Sequence, residues 1–496
     1  MSEAKRLHPI SAVMNFLKGL KDAILPAIFL LVLNNDESGT WLDWLPTLVF
    51  GVLLVFILVN GFIKWLRFTY RIEEGELRIE YGLIFRKKRY IPIDRIQSLN
   101  FSEGVLHRPF NLVKVNIETA GSSDIAQAEA DLTAIKKPEA HALEDWIQQA
   151  KRKTEADTDS EALESNAHQA DEGSVVFRLP SKEIVILAVT SGASGVVFSG
   201  LAFFGSQFGE IIPYEALFNE VVEFVQIGVF VVGLASFLLL LISYGIGVLL
   251  TFLRFADFKV RLVEDDLIIT RGMLEKKQMT IPLNRIQGIQ VKQNLLRQPF
   301  GYASLHVESA GGGVGDKEEH NMNLLPLVKK DSISGIMAKV LPDYQFDVDL
   351  KPAPKRSRFR YFIWNMIITS IIAGAVSWFL WPIGLLSVIL VLLAASLSWL
   401  QYKDAGWDLQ GQQLCLQSRG IIKRTYYMKK YRIQDTEAKQ SWFQKRKSLA
   451  SITSTIKSGL GGASPTVDHL EVSDIETMLQ WYEPEKVQKN TKNKPT

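Results

Sequence analysis

"IPIDRIQSLNFSEGVLHRPFNLVKVNIETAG" runs from Ile91 to Gly121, and "IPLNRIQGIQVKQNLLRQPFGYASLHVESAG" runs from Ile281 to Gly311. The two strings align without a gap and share IP, RIQ, PF and E-x-AG at the same spacings. A third copy, "YYMKKYRIQDTEAKQSWFQKRKSLASITSTIKSG" at 426–459, keeps the RIQ. It has lost the proline of IP, and Arg446-Lys447 stands where the others have Pro-Phe. Recurrence of this kind marks a duplicated fold unit, not a single catalytic motif.

Each string sits inside a segment with strand-like alternation. "YRIEEGELRIEYGLIFRKKRYIPI", "VRLVEDDLIITRGMLEKKQMTIPL" and "WDLQGQQLCLQSRGIIKRTYYM" turn at Glu74-Gly75 and Gly82, at Glu264–Asp266 and Gly272, and at Gly411 and Gly420. Short β-rich runs between turn residues predict antiparallel meanders. Each copy closes in a helical pattern: "KPEAHALEDWIQQAKRK", "KKDSISGIMAKVL" and "SDIETMLQWYEP". Trp146, Ile336, Met337, Met478 and Trp481 supply its apolar face, with Asp331 or Ser332, and Ser473, as expected N-caps. Pro92, Pro282, Pro109 and Pro299 are expected to shape strand ends or bulges. Phe110 and Phe300 are expected to pack inside.

Apolar runs precede each copy in pairs. Leu45–Ile63, Ile184–Phe204, Val225–Leu253, Phe362–Leu380 and Ile383–Leu400 are near the roughly 20 residues a helix needs to cross a bilayer. A sixth, Ala23–Leu33, reaches that length only with Phe16–Asp22, from which Lys18 and Lys21 snorkel to the headgroups. Connections within pairs are acidic or uncharged, as in Asn34–Asp43 and Ser206–Glu223, whereas the outer flanks hold Lys64, Arg67, Arg71, Arg178, Lys182, Arg254, Lys355, Arg356, Arg358, Arg360 and Lys403. The positive-inside rule therefore predicts six spans, with both termini and all large segments in the cytoplasm. The first run lacks a small-residue cleavage pattern, so it reads as a retained span.

Composition agrees. Hydrophobic residues make up 47% of the 496 and charged residues 22%, with a net charge of only +3. That balance excludes a global nucleic-acid binder. One cysteine, Cys415, excludes an intrachain disulfide or a cysteine zinc cluster. No paired nucleophile and base, metal set or cofactor fingerprint stands out, so the expectation is a non-enzymatic protein without a cofactor. "GGGVGDK" at Gly311–Lys317 lacks phosphate-loop spacing. It corresponds to "GSSD" at Gly121–Asp124 and "GLGGAS" at Gly459–Ser464, and reads as a variable strand connection.

The repeated core "IP-x-x-RIQ…RPF", set after paired membrane spans, resembles the bacterial membrane-flanked domain of the YdbT-like proteins, also called the bacterial pleckstrin-homology-like (bPH2) domain. The resemblance covers nearly the whole chain. It implies a PH-like fold, a seven-stranded bent sheet capped by a C-terminal helix, in a bacterial cytoplasmic-membrane protein. It brings no catalytic residues. The resulting organisation is membrane α-helical hairpins alternating with three α+β PH-like domains. Transmembrane pairs occupy 16–63, 184–253 and 360–400, and PH-like domains occupy 67–151, 254–342 and 403–483. An acidic linker covers 152–177, and 484–496 forms a disordered tail.

Two sets of residues are candidates for binding. Arg95, Gln97, Arg285, Gln287, Arg432 and Gln434 of the RIQ strings form either a structural motif or a ligand motif, since arginine holds phosphate or carboxylate bidentately. Read as strand residues, Arg and Gln share one face and Ile takes the other. Basic clusters, RKKR at Arg86–Arg89 and the ten cations from Arg419 to Lys447, suit anionic headgroups, with Lys445, Arg446 and Lys447 the expected contacts. The expected partners are the bilayer, its anionic headgroups, and a membrane or cytoplasmic protein. A scaffold is the leading reading and a component of a transport or export system the alternative. Few polar side chains, Asn365 among them, lie in the spans, which weighs against a transport path. Reporter fusions after Lys151, Pro342 and Thr496 should all signal cytoplasm; a periplasmic signal at any of them would refute the even number of spans.

Overall fold

The computed structural model describes residues 4–33, 45–82, 85–119, 130–156, 173–191, 225–309, 321–381, 383–458 and 462–483. The glycine loops at 121–124 and 311–317 and part of the third at 459–464 lie outside the described residues. So do the connections 34–43 and 206–223, most of the acidic linker, the tail, and Ile184–Phe204 beyond residue 191. The ends of the expected linker are ordered elements: residues 152–156 continue the helix Lys137–Ala156, and 174–177 belong to a strand.

Four described helices are long and apolar enough to cross a membrane: Leu48–Arg67, Phe237–Phe255, Lys355–Phe379 and Gly384–Asp404. Ile10–Leu33 is a 24-residue helix that packs against Leu45–Arg67. Close approach needs small residues there: a Cβ on Gly19 would lie 2.6 Å from Ile57 Cγ2, and one on Gly61 3.2 Å from the Phe16 nitrogen. In the last pair, Asn365 Nδ2 donates to Ser398 Oγ and Gln401 Oε1, both at 2.9 Å. Those bonds satisfy the polar groups between the two helices.

The chain forms two compact units, one of residues up to Gly173 with Asp266–Pro282, the other of Ser174–Asp265, Leu283–Gly312 and Asp316–Thr496. In the first unit, β1 (Lys5–Arg6), β2 (Thr69–Glu73), β3 (Glu76–Tyr81) and β4 (Lys87–Pro92) form one antiparallel sheet in that order. Glu74 and Gly75 make the two-residue β2–β3 turn with φ of 53° and 77°, the left-handed pair that a tight hairpin requires. β5 (Ile96–Glu103), β6 (Leu112–Thr119) and β7 (Ala130–Lys136) form a second layer. The two layers and the helix Lys137–Ala156 enclose one core of Leu77, Ile79, Ile91, Ile96, Val115, Ile117, Leu132 and Leu143.

The second layer does not stop at β5. It continues into the next copy, through β11 (Lys276–Pro282) to β10 (Asp266–Arg271), with Lys276 opposite Glu103 and Gln278 opposite Phe101. The second unit repeats this joint. β8 (Ser174–Arg178) pairs with β9 (Lys259–Val263). One seven-stranded sheet then runs β14-β13-β12-β18-β17-β16-β15. Of these, β12 (Ile286–Gln293), β13 (Tyr302–Ser309) and β14 (Asn321–Lys329) belong to the second copy. β16 (Gly406–Gln410), β17 (Gln413–Arg419) and β18 (Lys423–Lys429) belong to the third, and β15 (Lys351–Pro352) to the segment before it. β19 (Ile433–Lys439), β20 (Leu449–Ile456) and β21 (Thr466–Glu471) complete the third copy as a separate three-stranded sheet. Its core, closed by the helix Val472–Tyr482, again spans both layers, from Leu414 and Met428 to Ile452 and Met478. The expected seven-stranded sheet is therefore assembled differently: the second and third copies each lend their first layer to the preceding copy's second layer.

The helix caps meet expectation in one of two places. Val472–Tyr482 is capped at Glu471, without a side-chain bond, and Ser473 lies inside the helix. Ser332 is the N-cap of the five-residue helix Ile333–Met337, as expected, although its side chain makes no cap bond.

The acidic residue of E-x-AG secures both joints. Glu118 is buried and accepts from Ser98 Oγ at 2.7 Å and Asn100 Nδ2 at 2.8 Å, and Asn100 Oδ1 accepts from the Thr280 N–H of β11 at 3.2 Å. Glu308 accepts from Ser458 Oγ of the third copy, and burial raises its pKa. Beside it, burial holds Lys292 down to about 8 despite the opposing pull of Glu308. A lysine with a lower pKa folded than unfolded sheds its proton on folding between about 8 and its ordinary 10.5. The stability it governs therefore rises with pH across that window. The unfolding midpoint of the detergent-solubilised chain should gain more between about pH 7.5 and pH 10 in the wild type than in Lys292→Met; an identical gain would remove Lys292 from the joint's titration.

Candidate membrane-facing surface

The loop joining β5 to β6 and its two counterparts have one construction. In the first copy a 3-10 turn at Arg108–Phe110 ends on Asn111, with φ 53°. In the second, Gln298–Phe300 ends on Gly301, with φ 70°. In the third, the short helix Trp442–Lys445 is followed by Ser448, with φ 52°. These left-handed residues occupy the same aligned position. They reverse the chain so that the turn projects from the sheet as a tip.

The tips are apolar and exposed. Phe110 and Phe300, expected inside, are 52% and 67% exposed. Five and four residues ahead of that position the alignment places Val105-Leu106, Leu295-Leu296 and Trp442-Phe443, all exposed as well. Large apolar side chains thus recur, exposed, at one loop position in all three copies.

Each tip is tied to the end of its own helical hairpin. His8, just before the helix Ile10–Leu33, lies 5.8 Å from the Phe110 ring, and its N–H donates to the Ala134 carbonyl at 3.0 Å. Arg297 Nε donates to Thr190 Oγ1 at 2.8 Å, at the C-terminus of the helix Ser181–Val189. Arg356 Nε donates to the Lys447 carbonyl at 2.9 Å, and Arg360 donates to the Phe443 carbonyl while lying over the Phe443 ring at 5.4 Å. The aligned position 107, 297, 444 fixes each tip from inside. His107 bridges Gly104 N and the Thr133 carbonyl, Arg297 reaches Thr190, and Gln444 forms a capping box with Ser441 and bonds Ser451 and His469.

The cations of the third copy divide into two groups. Arg419 and Lys423 point inward to the buried Asp404, and Arg419 also donates to Gln298 Oε1 of the second copy. Lys429 donates to the Asp343 carbonyl and Arg432 to the Asn284 carbonyl, so these cations serve the joint. Lys445, Arg446 and Lys447 are exposed on the tip, with the Arg446 guanidinium 3.7 Å above the Trp442 ring. The stacked pair puts a cation and an amphipathic ring at one height, an arrangement suited to headgroups.

The RIQ strings occupy corners between layers. Arg95, Arg285 and Arg432 end 3-10 turns and do not lie in strands. Ile96, Ile286 and Ile433 begin β5, β12 and β19 and are buried. The register shifts immediately after each isoleucine, so Gln97, Gln287 and Gln434 sit at β-bulges. Alternation across a strand consequently does not govern these residues. Gln287 Nε2 donates to the Arg285 carbonyl at 3.0 Å, whereas Gln434 is exposed; the Gln97 side chain lies outside the described residues. In the second copy the string brings the Gln287 side chain onto the Arg285 carbonyl. The apolar pairs ahead of the tips were legible only as apolar residues in turn segments, a signal that alignment of the copies makes visible.

Two-layered sheets with a closing helix, repeated behind membrane hairpins, define a membrane protein of PH-like modules. The chain belongs to the bacterial PH domain (bPH_2) family, whose model matches residues 23–151, 222–339 and 366–486. It is similar to the UPF0699 transmembrane protein YdbT of Bacillus subtilis (strain 168), at 35% identity over 496 residues that cover 98% of this chain and 99% of that one. It is also similar to the UPF0699 transmembrane protein YdbS of the same organism, at 27% identity over 146 residues, 28% of this chain and 88% of that one. No solved structure matches.

The corner geometry predicts unequal effects within RIQ. Ile286→Asp buries an unpaired charge at a site 3% exposed and should lower stability by several kcal/mol in thermal unfolding of the solubilised chain. Arg285→Ala should lower it less and leave the fold intact; the reverse ranking would contradict a structural role for the corner.

Proposed function

We propose that the chain is a non-catalytic membrane scaffold that holds three PH-like modules against the cytoplasmic leaflet, their tips seated among anionic headgroups. The supporting observation is the exposed apolar pair at the same tip position in every copy, each tip bound to the end of a membrane hairpin. Apolar side chains at that height leave water for the interface, and each cation of the third tip adds about 1 kcal/mol near an anionic surface. The sheet surfaces away from the tips remain available to a membrane or cytoplasmic protein partner.

The test labels Leu106→Cys, Leu296→Cys and Phe443→Cys separately with an environment-sensitive fluorophore in the full chain, reconstituted into vesicles. All three labels should shift to the blue and be quenched by lipids brominated near the headgroup. Replacing Lys445, Arg446 and Lys447 with Gln should weaken quenching at position 443 in phosphatidylglycerol vesicles at low salt. The difference should fade as the Debye length falls from about 10 Å at 0.1 M to about 3 Å at 1 M. Labels that stay water-exposed and unquenched would overturn the lipid reading.

A further inference from the structure

Both joints between copies have one register. Lys276, nine residues before Arg285, faces Glu103, eight residues after Arg95. Lys423, nine before Arg432, faces Gln293, eight after Arg285. A chain of three copies joined in this way keeps one edge of each kind at its ends. β4 ends the four-stranded sheet of the first copy, and β19 ends the three-stranded sheet of the third. Each presents its outer side where β11 or β18, and β5 or β12, are paired.

We propose that β19 of one copy of this chain pairs antiparallel with β4 of a second copy, extending the internal joint from molecule to molecule. The inference is independent of the lipid reading. The shared register sets Lys88 opposite Ala438, Arg89 opposite Glu437 and Tyr90 opposite Thr436. Glu437 is exposed on β19 along with Gln434 and Asp435, and Lys87 and Lys88 are exposed on β4. The two edges are therefore complementary in charge, and Asp435 lies diagonal to Arg89. The register also sets Lys87 opposite Lys439, but the second joint already holds the like pair Arg424 and Lys292.

Basic residues on an edge commonly guard it against pairing. Here they do not: β11 and β18 open with Lys276-Lys277 and Lys423-Arg424, and both strands are paired. The main-chain ladder supplies the attraction, as in other strand additions. The association is heterologous, since the β4 edge of one copy meets the β19 edge of the next.

The test co-expresses two full-length copies with different tags, one carrying Lys88→Cys and the other Ala438→Cys. The native Cys415 is buried and does not compete. Mild oxidation of membranes should yield a disulfide-linked species with both tags. Adding Glu437→Lys to the second copy should lower its yield about five-fold, by opposing Arg89 with a like charge, and Arg89→Glu in the first copy should restore it. No two-tag species from copies that insert and resist proteolysis like the wild type would overturn the proposal. Capture of a shorter membrane protein by Ala438→Cys in place of the second copy would also overturn it.

Discussion

The structure depends on the antiparallel ladder between successive copies. A PH-like module of two small layers exposes one sheet edge of each layer, and exposed edges invite unwanted pairing. Here β5 takes β11 and β12 takes β18, so the outer strand of one copy completes the sheet of another. The side chains confirm how tightly the joints are specified. Asn100 donates to the buried Glu118 carboxylate while its own Oδ1 accepts from the Thr280 N–H of the neighbouring strand, and Arg419 links Asp404 at the end of a membrane helix to Gln298 of the preceding tip. An unsatisfied group in either network would be penalised by the low local dielectric, so the networks specify one register as well as stabilising it.

Under the proposed function, the tips extend the same logic to the bilayer. Phe110, Phe300 and the Trp442-Phe443 pair are all exposed at the same loop of their copies. Their neighbours His8, Thr190, Arg356 and Arg360 belong to the helices of the hairpins or to the residues beside them. The duplicated string thus encodes two surfaces: RIQ shapes the corner that turns one layer into the next, and the PF region shapes the tip.

Much of this was legible in the sequence. The three copies, their turns at Glu74-Gly75 and Gly411, and the helices of the spans follow from periodicity and punctuation, which are local signals. The partner of each strand was not legible, because β5 pairs with a strand of the next copy beyond a membrane hairpin, and no local pattern specifies such a contact. The placement of Phe110 and Phe300 failed for a different reason: both sit on 3-10 turns that project from the sheet, where no core packs over them. The face of Arg95 and Gln97 failed because a bulge follows the isoleucine and breaks the two-residue period. Of the third copy's cations, Lys445 to Lys447 were separable from Arg419 and Lys423 only once Asp404 was seen to hold the latter pair.

The separation between β5 and β11 has a consequence for synthesis. β5 ends at Glu103 and its partner strand begins at Lys276. At about 5–20 residues per second, the ribosome needs roughly ten to thirty seconds to deliver that strand. During that interval a membrane hairpin must be inserted, while the first copy waits with an open sheet edge. Anchoring by Ile10–Leu33 and Leu45–Arg67 restricts the nascent module to the membrane plane, where it meets fewer stray chains. The order of insertion and the order of strand pairing are therefore coupled: a delay in handing the second hairpin to the membrane prolongs the time in which the β5 edge is open to the wrong neighbour.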